Sequence, residues 1–170
     1  MNIKHATIKD IPAIMSVIKD AQNYLAGLGI DQWQDGYPTV QQIELDIKNG
    51  DSYLIYDDDN NVMGTTVFTT KKEPTYQAIE GEWLTGKEAA YGVIHRLAVA
   101  DRFRKSGLAK FVFNYCHDAL KKQGIKSLRI DTHRDNKGMQ NLIQKMGYSY
   151  CGVIIIESGA ERLAYEKMMD

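Results

Sequence analysis

The chain has 170 residues, 44% hydrophobic and 25% charged, the profile of one ordinary soluble globular domain over residues 1–170. A 9% aromatic share with ample aliphatic residues fills one core and excludes intrinsic disorder. The 21 Lys and Arg against 22 Asp and Glu leave a net charge of -1, without the basic excess of a chain that grips nucleic acid.

Met1 to His5 lacks the apolar run of a signal peptide. No stretch reaches the ~18–20 apolar residues that span a bilayer. Cys116 and Cys151 lie far apart and outside any CxxC pair, which suits reduced thiols in a reducing cytosol. These features predict a cytoplasmic protein with no membrane partner.

Ile3 to Ile8 reads as an opening strand. Asp10 is an N-cap candidate for a helix in which Ile11, Ile14, Val17 and Ile18 share one face, with Pro12 in its first turn. Gly27 and Gly29 stop that helix, and Ile30 to Pro38 is a loop holding Trp33 and Tyr37. Thr39 and Gln42 give a capping-box signal for a second helix, through Val40, Ile43 and Ile47, that ends at Asn49-Gly50. Ser52 to Tyr56 and Val62 to Thr70 form a hairpin around the turn residues Asp57 to Asn61. Lys71 to Ala90 is long and irregular, as functional loops often are. Tyr91 to Val99 reads as a buried strand, followed by a basic, Gly-containing turn. The helix from about Leu108 to Gln123 has a predicted core stripe of Leu108, Phe111, Val112, Tyr115 and Leu120. Then come a strand at Lys126 to Thr132, a helix at Asn136 to Met146, a strand at Tyr148 to Glu157, and a closing strand at Leu163 to Met168. The order is that of a mixed α/β (α+β) fold with about four helices.

Chemistry is densest from Ile94 to Lys110. A strand runs into Arg104-Lys105-Ser106-Gly107-Leu108-Ala109, and a helix begins there. The first N–H groups of a helix lack internal partners, and its dipole places partial positive charge at that end. Gly107 and Ala109 let a bulky anion approach the backbone, and Arg102, Arg104, Lys105 and Lys110 add charge suited to a pyrophosphate. The turn reads otherwise as a solvated connection with incidental basic residues. A Walker A loop is excluded, because Phe103 to Lys110 holds one Gly and no Gly-Lys pair. G-x-G-x-x-G is absent as well.

These residues resemble the GNAT superfamily of acyl-CoA N-acyltransferases. Arg104 to Ala109 matches the family motif Q/R-x-x-G-x-G/A directly after a strand ending in Leu97-Ala98-Val99, and Lys145-Met146-Gly147-Tyr148 resembles its K-x-G-F ending. The resemblance implies a central mixed, mostly antiparallel sheet with splayed central parallel strands. It also implies acetyl-CoA as donor. By analogy, backbone N–H groups of Arg104, Lys105, Ser106, Gly107, Leu108, Ala109 and Lys110 hold the pyrophosphate. Leu97, Ala98 and Val99 pair with the pantetheine arm, and Asn136 bonds it from the other side. Asn136 reads equally as a helix N-cap. The family's usual general-acid tyrosine lies seven residues after that asparagine, where this chain has Ile143.

Acyl transfer to an amine must remove a proton from an amine of pKa ~10, stabilise an oxyanion and release a thiolate. A backbone N–H around Leu97 suits the oxyanion. With no tyrosine at 143, His133 reads as a proton shuttle or as a surface residue beside Arg134 and Asp135. His95 reads as a catalyst or a core histidine, and Asp131 as an orienter of either histidine or a partner of Arg129 or Arg134. Asp131 and His133 lack further ligands at zinc spacing, so no metal is expected. Cys116 and His117 diverge by roughly 100° on a helix and make no nucleophile pair. Ser106 and Ser158 lack a G-x-S-x-G elbow.

Trp33, Tyr37, Tyr76, Trp83 and Tyr91 read as an aromatic acceptor wall, with Glu80, Glu82 and Glu88 drawing in a cationic amine, or as anchors of long loops. The expected activity is N-acetyl transfer to a small-molecule or peptide amine through a ternary complex. The alternative is a non-catalytic acyl-CoA-binding or regulatory module. Neither nucleic acid nor a membrane is an expected partner, and a homodimer through Leu163 to Met168 is compatible with the pattern.

Overall fold

A computed structural model describes residues 1–169. It holds four α-helices and an eight-stranded, mostly antiparallel sheet of order β1-β2-β3-β5-β6-β8-β7-β4. The chain divides into two compact units, Met1–Phe68 with His95–Val112, and Thr69–Ile94 with the residues from Phe113 onward.

In the first unit, β1 (Asn2–His5) pairs antiparallel with β2 (Ser52–Tyr56), which forms the expected hairpin with β3 (Val62–Thr69). The Asp57 carboxylate closes the turn by accepting from the Asp59 and Asn61 N–H groups at 3.0 and 2.8 Å. Helix α1 (Ile11–Gly27) turns Ile14, Val17, Ile18 and Leu25 inward, the spacing that puts one apolar stripe on a helix. Asp10 stands at its N-cap position but makes no side-chain cap bond to it. Its carboxylate instead accepts from the Thr7 N–H and closes a capping box on a short 3-10 turn, Ile8–Asp10. Thr39 caps α2 (Val40–Lys48) by accepting from the Gln42 N–H at 3.2 Å, while the Gln42 amide donates forward to Asp46. Ala6, Ile14, Ile18, Ile43 and Leu54 pack into one core, and each buried Ile or Leu contributes roughly 2 kcal/mol.

In the second unit, β6 (Ser127–Thr132) pairs with β8 (Glu161–Met168), β8 with β7 (Ser149–Ile155), and β7 with β4 (Glu80–Gly81), all antiparallel. The parallel ladder of β5 (Gly92–Val99) with β6 holds two register pairs, Gly92↔Leu128 and Val93↔Arg129. The core here is Tyr76, Trp83, Tyr91, Val93, Cys151, Ile154 and Ala164.

Three further elements differ from the sequence expectation. The irregular stretch hides β4, whose two residues carry no apolar alternation. Gly81 at φ +135° and Gly152 at φ +146° face each other so closely that a Cβ on either would lie 2.2 Å from the opposite strand's carbonyl oxygen. The closing strand β8 is interior, paired on both sides, so it offers no free edge to a second copy. In α3 (Leu108–Lys122), Phe113 and Cys116 are buried beside Leu108, Val112 and Leu120, while Phe111 and Tyr115 are half-buried.

Candidate active site

The first unit carries the basic turn. β5 ends at Val99, a 3-10 turn covers Asp101–Phe103, and α3 starts at Leu108. Gly64 sets the spacing below it: a Cβ there would lie 2.6 Å from the Ala98 carbonyl oxygen and 2.8 Å from a Leu108 methyl. Only a glycine in β3 lets β5 and the first residue of α3 approach so closely. Lys105 (φ 61°) and Gly107 (φ 84°) adopt left-handed backbone on either side of Ser106. A Cβ on Gly107 would meet nothing within 4 Å, which leaves open space over the turn.

Arg104 is not one of the charges offered to an anion. Its Nε donates to Asp101 at 2.7 Å, its Nη2 donates to the Asp20 carbonyl at 3.3 Å, and its guanidinium lies 3.5 Å from the centre of the Tyr24 ring. It ties the turn to α1. The Arg104 and Ser106 N–H groups donate to Asp101 and Phe103 carbonyls. Lys105, Ser106, Gly107 and Lys110 are exposed, Ala109 is half-buried and Leu108 is buried. In β5, Ala98 is buried, while His95, Leu97 and Val99 are half-buried. The Thr66 hydroxyl donates to the His95 carbonyl at 3.4 Å.

Arg96, in the middle of β5, also has left-handed backbone, at φ 48°. Its Nε and Nη2 donate to the two carboxylate oxygens of Asp46 at 2.7 Å each, and its Nη1 donates to the Tyr37 hydroxyl at 2.6 Å. Trp33 packs into a cluster with Val17, Ala98 and Ala100, the anchoring role rather than an open wall.

The second unit carries Asp131, His133 and Asn136. Asp131 accepts from the Tyr76 hydroxyl at 2.7 Å. The cations proposed for Asp131 go elsewhere, Arg129 to the buried Glu166 and Arg134 to Glu161. Burial, and then the negative charge of Asp131, push the Tyr76 hydroxyl well above its ordinary range, so Tyr76 is a permanent donor there. His133 accepts at Nδ1 from the Asp135 N–H at 3.1 Å, which places the proton of the neutral ring on Nε2. Asn136 caps α4 (Lys137–Lys145), its side-chain oxygen accepting from the Met139 N–H at 3.1 Å. Ile143 is fully buried on the core side of α4.

Trp83 is core. Its indole donates to the Tyr76 carbonyl at 2.9 Å, and its ring with that of Tyr91 encloses the Arg129 guanidinium at 4.2 and 3.9 Å. Glu88 pairs with Lys72 at 2.9 Å, while Glu80 and Glu82 are exposed. The Tyr76–Asp131 bond joins residues 55 apart and carries no local signal in the sequence. Among the described residues, no three His, Cys, Asp or Glu side chains come together as metal ligands.

The sequence matches the model of the acetyltransferase (GNAT) family over residues 17–148. It is 34% identical to a GNAT-family acetyltransferase from Streptococcus agalactiae, with a TM-score of 0.87 over 99% of this chain and 95% of that one. A GNAT-family acetyltransferase from Listeria monocytogenes shares 18% identity and a TM-score of 0.78 over 99% and 94%. The PaiA N-acetyltransferase of Thermoplasma acidophilum, solved with coenzyme A, superimposes at 16% identity and a TM-score of 0.68 over 98% of both chains. No curated protein matches the sequence. By the family match through both units, and by the likeness to the streptococcal protein, this chain belongs to the GNAT acetyltransferase family and is an acyltransferase.

Proposed function

We propose that the chain is a single-domain N-acetyltransferase that moves an acetyl group from acetyl-CoA to a primary amine of a small molecule or peptide. The observation that carries this reading is the open, left-handed turn at Gly107, between a strand and the start of α3, in a chain of this family. The N–H groups of Lys105 and of Gly107 to Lys110 serve the donor's pyrophosphate, while Arg104 anchors the turn. Lys105 and Lys110 add charge. Leu97, Ala98 and Val99 offer backbone groups to the pantetheine arm, and Asn136 adds its side-chain amide.

In the reaction the amine nitrogen forms a bond to the thioester carbonyl carbon and the carbon–sulfur bond breaks; of the two protons the ammonium gives up, one passes to solvent and one to the departing thiolate. The products are an amide and the free thiol. The backbone N–H near Leu97 stabilises the oxyanion. Asp131, held by Tyr76, attracts the ammonium form and takes its first proton on the way to solvent, His133 offers its Nε2–H as a hydrogen-bond donor, and His95 lies in the strand that presents the donor. Two free, buried cysteines suit a reducing cytoplasm. The buried Ile143, in place of the family's tyrosine, favours one second reading: a module that binds acyl-CoA without turnover.

Titration with acetyl-CoA, followed by an amine panel read by thiol release, tests both. Binding and turnover support the enzyme, binding with no turnover supports the module, and no binding removes the donor site. Asp131→Asn should cut turnover about a hundredfold and leave acetyl-CoA affinity unchanged. An unchanged rate would remove Asp131 from the chemistry.

A further inference from the structure

A strand residue normally holds φ near -120°, with its pleat continuing into the next peptide. Arg96 interrupts β5 at φ 48°, a region that L side chains adopt at a cost and that glycine enters freely. It does so in the middle of the strand, with no turn to require it, and the residues that follow are Leu97 to Val99. A left-handed residue persists there only where its surroundings over-determine it.

Those surroundings are on the Arg96 side chain. The planar guanidinium meets Asp46 of α2 in a two-pronged pair at 2.7 and 2.7 Å and takes the Tyr37 hydroxyl at 2.6 Å. The pair is desolvated, with side chains 13% and 6% exposed. Asp46 is fixed in turn by Gln42 at 3.0 Å, and the Tyr37 carbonyl by Gln22 at 3.0 Å. On the other flank, the Thr66 hydroxyl reaches the carbonyl of His95. A lysine could not make this fork.

We infer that Arg96 is a positioning residue: its clamp on Asp46 and Tyr37 holds the left-handed kink in β5 and so aims the Leu97 peptide N–H for the acyl group. The functional half of this rests on the acetyl-transfer reading. The conformational half stands alone.

Two variants separate the clamp from plain packing. Both are made with Asp46→Asn, so that neither leaves a buried unpaired carboxylate. Arg96→Ala removes the clamp and keeps the steric objection to a positive φ; Arg96→Gly removes both. Amide spectra of the unliganded proteins then report the backbone at residues 96 to 98. The expected result is that Leu97 and Ala98 resonances move in the Ala variant and return most of the way in the Gly variant. In turnover, the Ala variant should lose about tenfold or more in kcat with acetyl-CoA affinity retained, and the Gly variant should recover most of it. Equal spectra for Ala and Gly, or an Ala variant that keeps the wild-type resonances, would overturn the inference. If the parent chain shows no acetyl-CoA binding, the donor reading fails while the spectra still decide whether the clamp sets the kink.

Discussion

Glu166 is the buried charge on which the second unit turns, and its neutralisation has a calculable cost. The carboxylate is 0% exposed and accepts from Arg129 Nε at 3.0 Å, Thr85 Oγ1 at 2.5 Å, the Leu84 N–H at 2.5 Å and the Ser127 hydroxyl. Arg129 is also 0% exposed, its Nη1 without a hydrogen-bond partner among the described residues and its plane between Trp83 and Tyr91. Glu166→Gln leaves that guanidinium buried with no countercharge, a loss of about 3–5 kcal/mol. For a chain of this length that lowers Tm by about 10 °C. Burial alone would raise the Glu166 pKa, but the bonds from Ser127, Thr85 and Arg129 outweigh it and hold it below the usual carboxylate range. The folded state then binds fewer protons than the unfolded one. This stability is therefore full above the unfolded value of about 4.3 and drains away as pH falls through the folded value. Urea unfolding of parent and variant from pH 7 down to pH 3 should show a gap that narrows on acidification. The double variant Arg129→Met with Glu166→Gln should lose less than the two single losses added. A loss under about 1 kcal/mol at pH 7, or a gap that does not change with pH, would mean that Glu166 does not hold the buried Arg129 charge.

Tyr76→Phe should slow turnover several-fold by freeing Asp131 from its 2.7 Å bond, and an unchanged pH–rate profile would contradict that. Gly107→Trp should abolish acetyl-CoA binding while the chain stays folded; normal affinity in the folded variant would return the turn to a plain connection. His117, half-buried with its Nε2 3.0 Å from the Tyr148 hydroxyl, has its pKa lowered to about 4 by burial and by Lys167. The folded state resists its protonation, so its contribution falls as pH drops below about 6.5. An NMR titration midpoint near 6.5 would contradict this. Burial pushes the Cys116 thiol up, so it should resist thiol reagents until unfolding, and rapid labelling of the native protein would count against the core packing.

Much of the fold is legible because local pattern decides it. The spacing of Ile14, Val17 and Ile18, the Thr39 cap and the Asp57–Asn61 turn fix α1, α2 and the β2–β3 hairpin within a few residues. The turn at Arg104 to Ala109 is legible as a turn, because Gly107 and the apolar spacing after it mark the start of α3. β4 is not, since two residues joined to β7 carry no periodicity. The pairings of Asp131 with Tyr76, Arg96 with Asp46 and Arg129 with Glu166 bridge 55, 50 and 37 residues, and a charged side chain in a strand does not announce its partner. Arg104 is hard to read for the opposite reason: its charge reads as available for an anion, yet Asp101, Asp20 and Tyr24 already engage it.

The most direct test of the account is calorimetric titration of the chain with acetyl-CoA and with free CoA at moderate salt. Micromolar, saturable binding of acetyl-CoA that is lost in Gly107→Trp is the predicted result. Absence of binding to either ligand by the folded parent chain would contradict the donor site, and the proposed reaction with it.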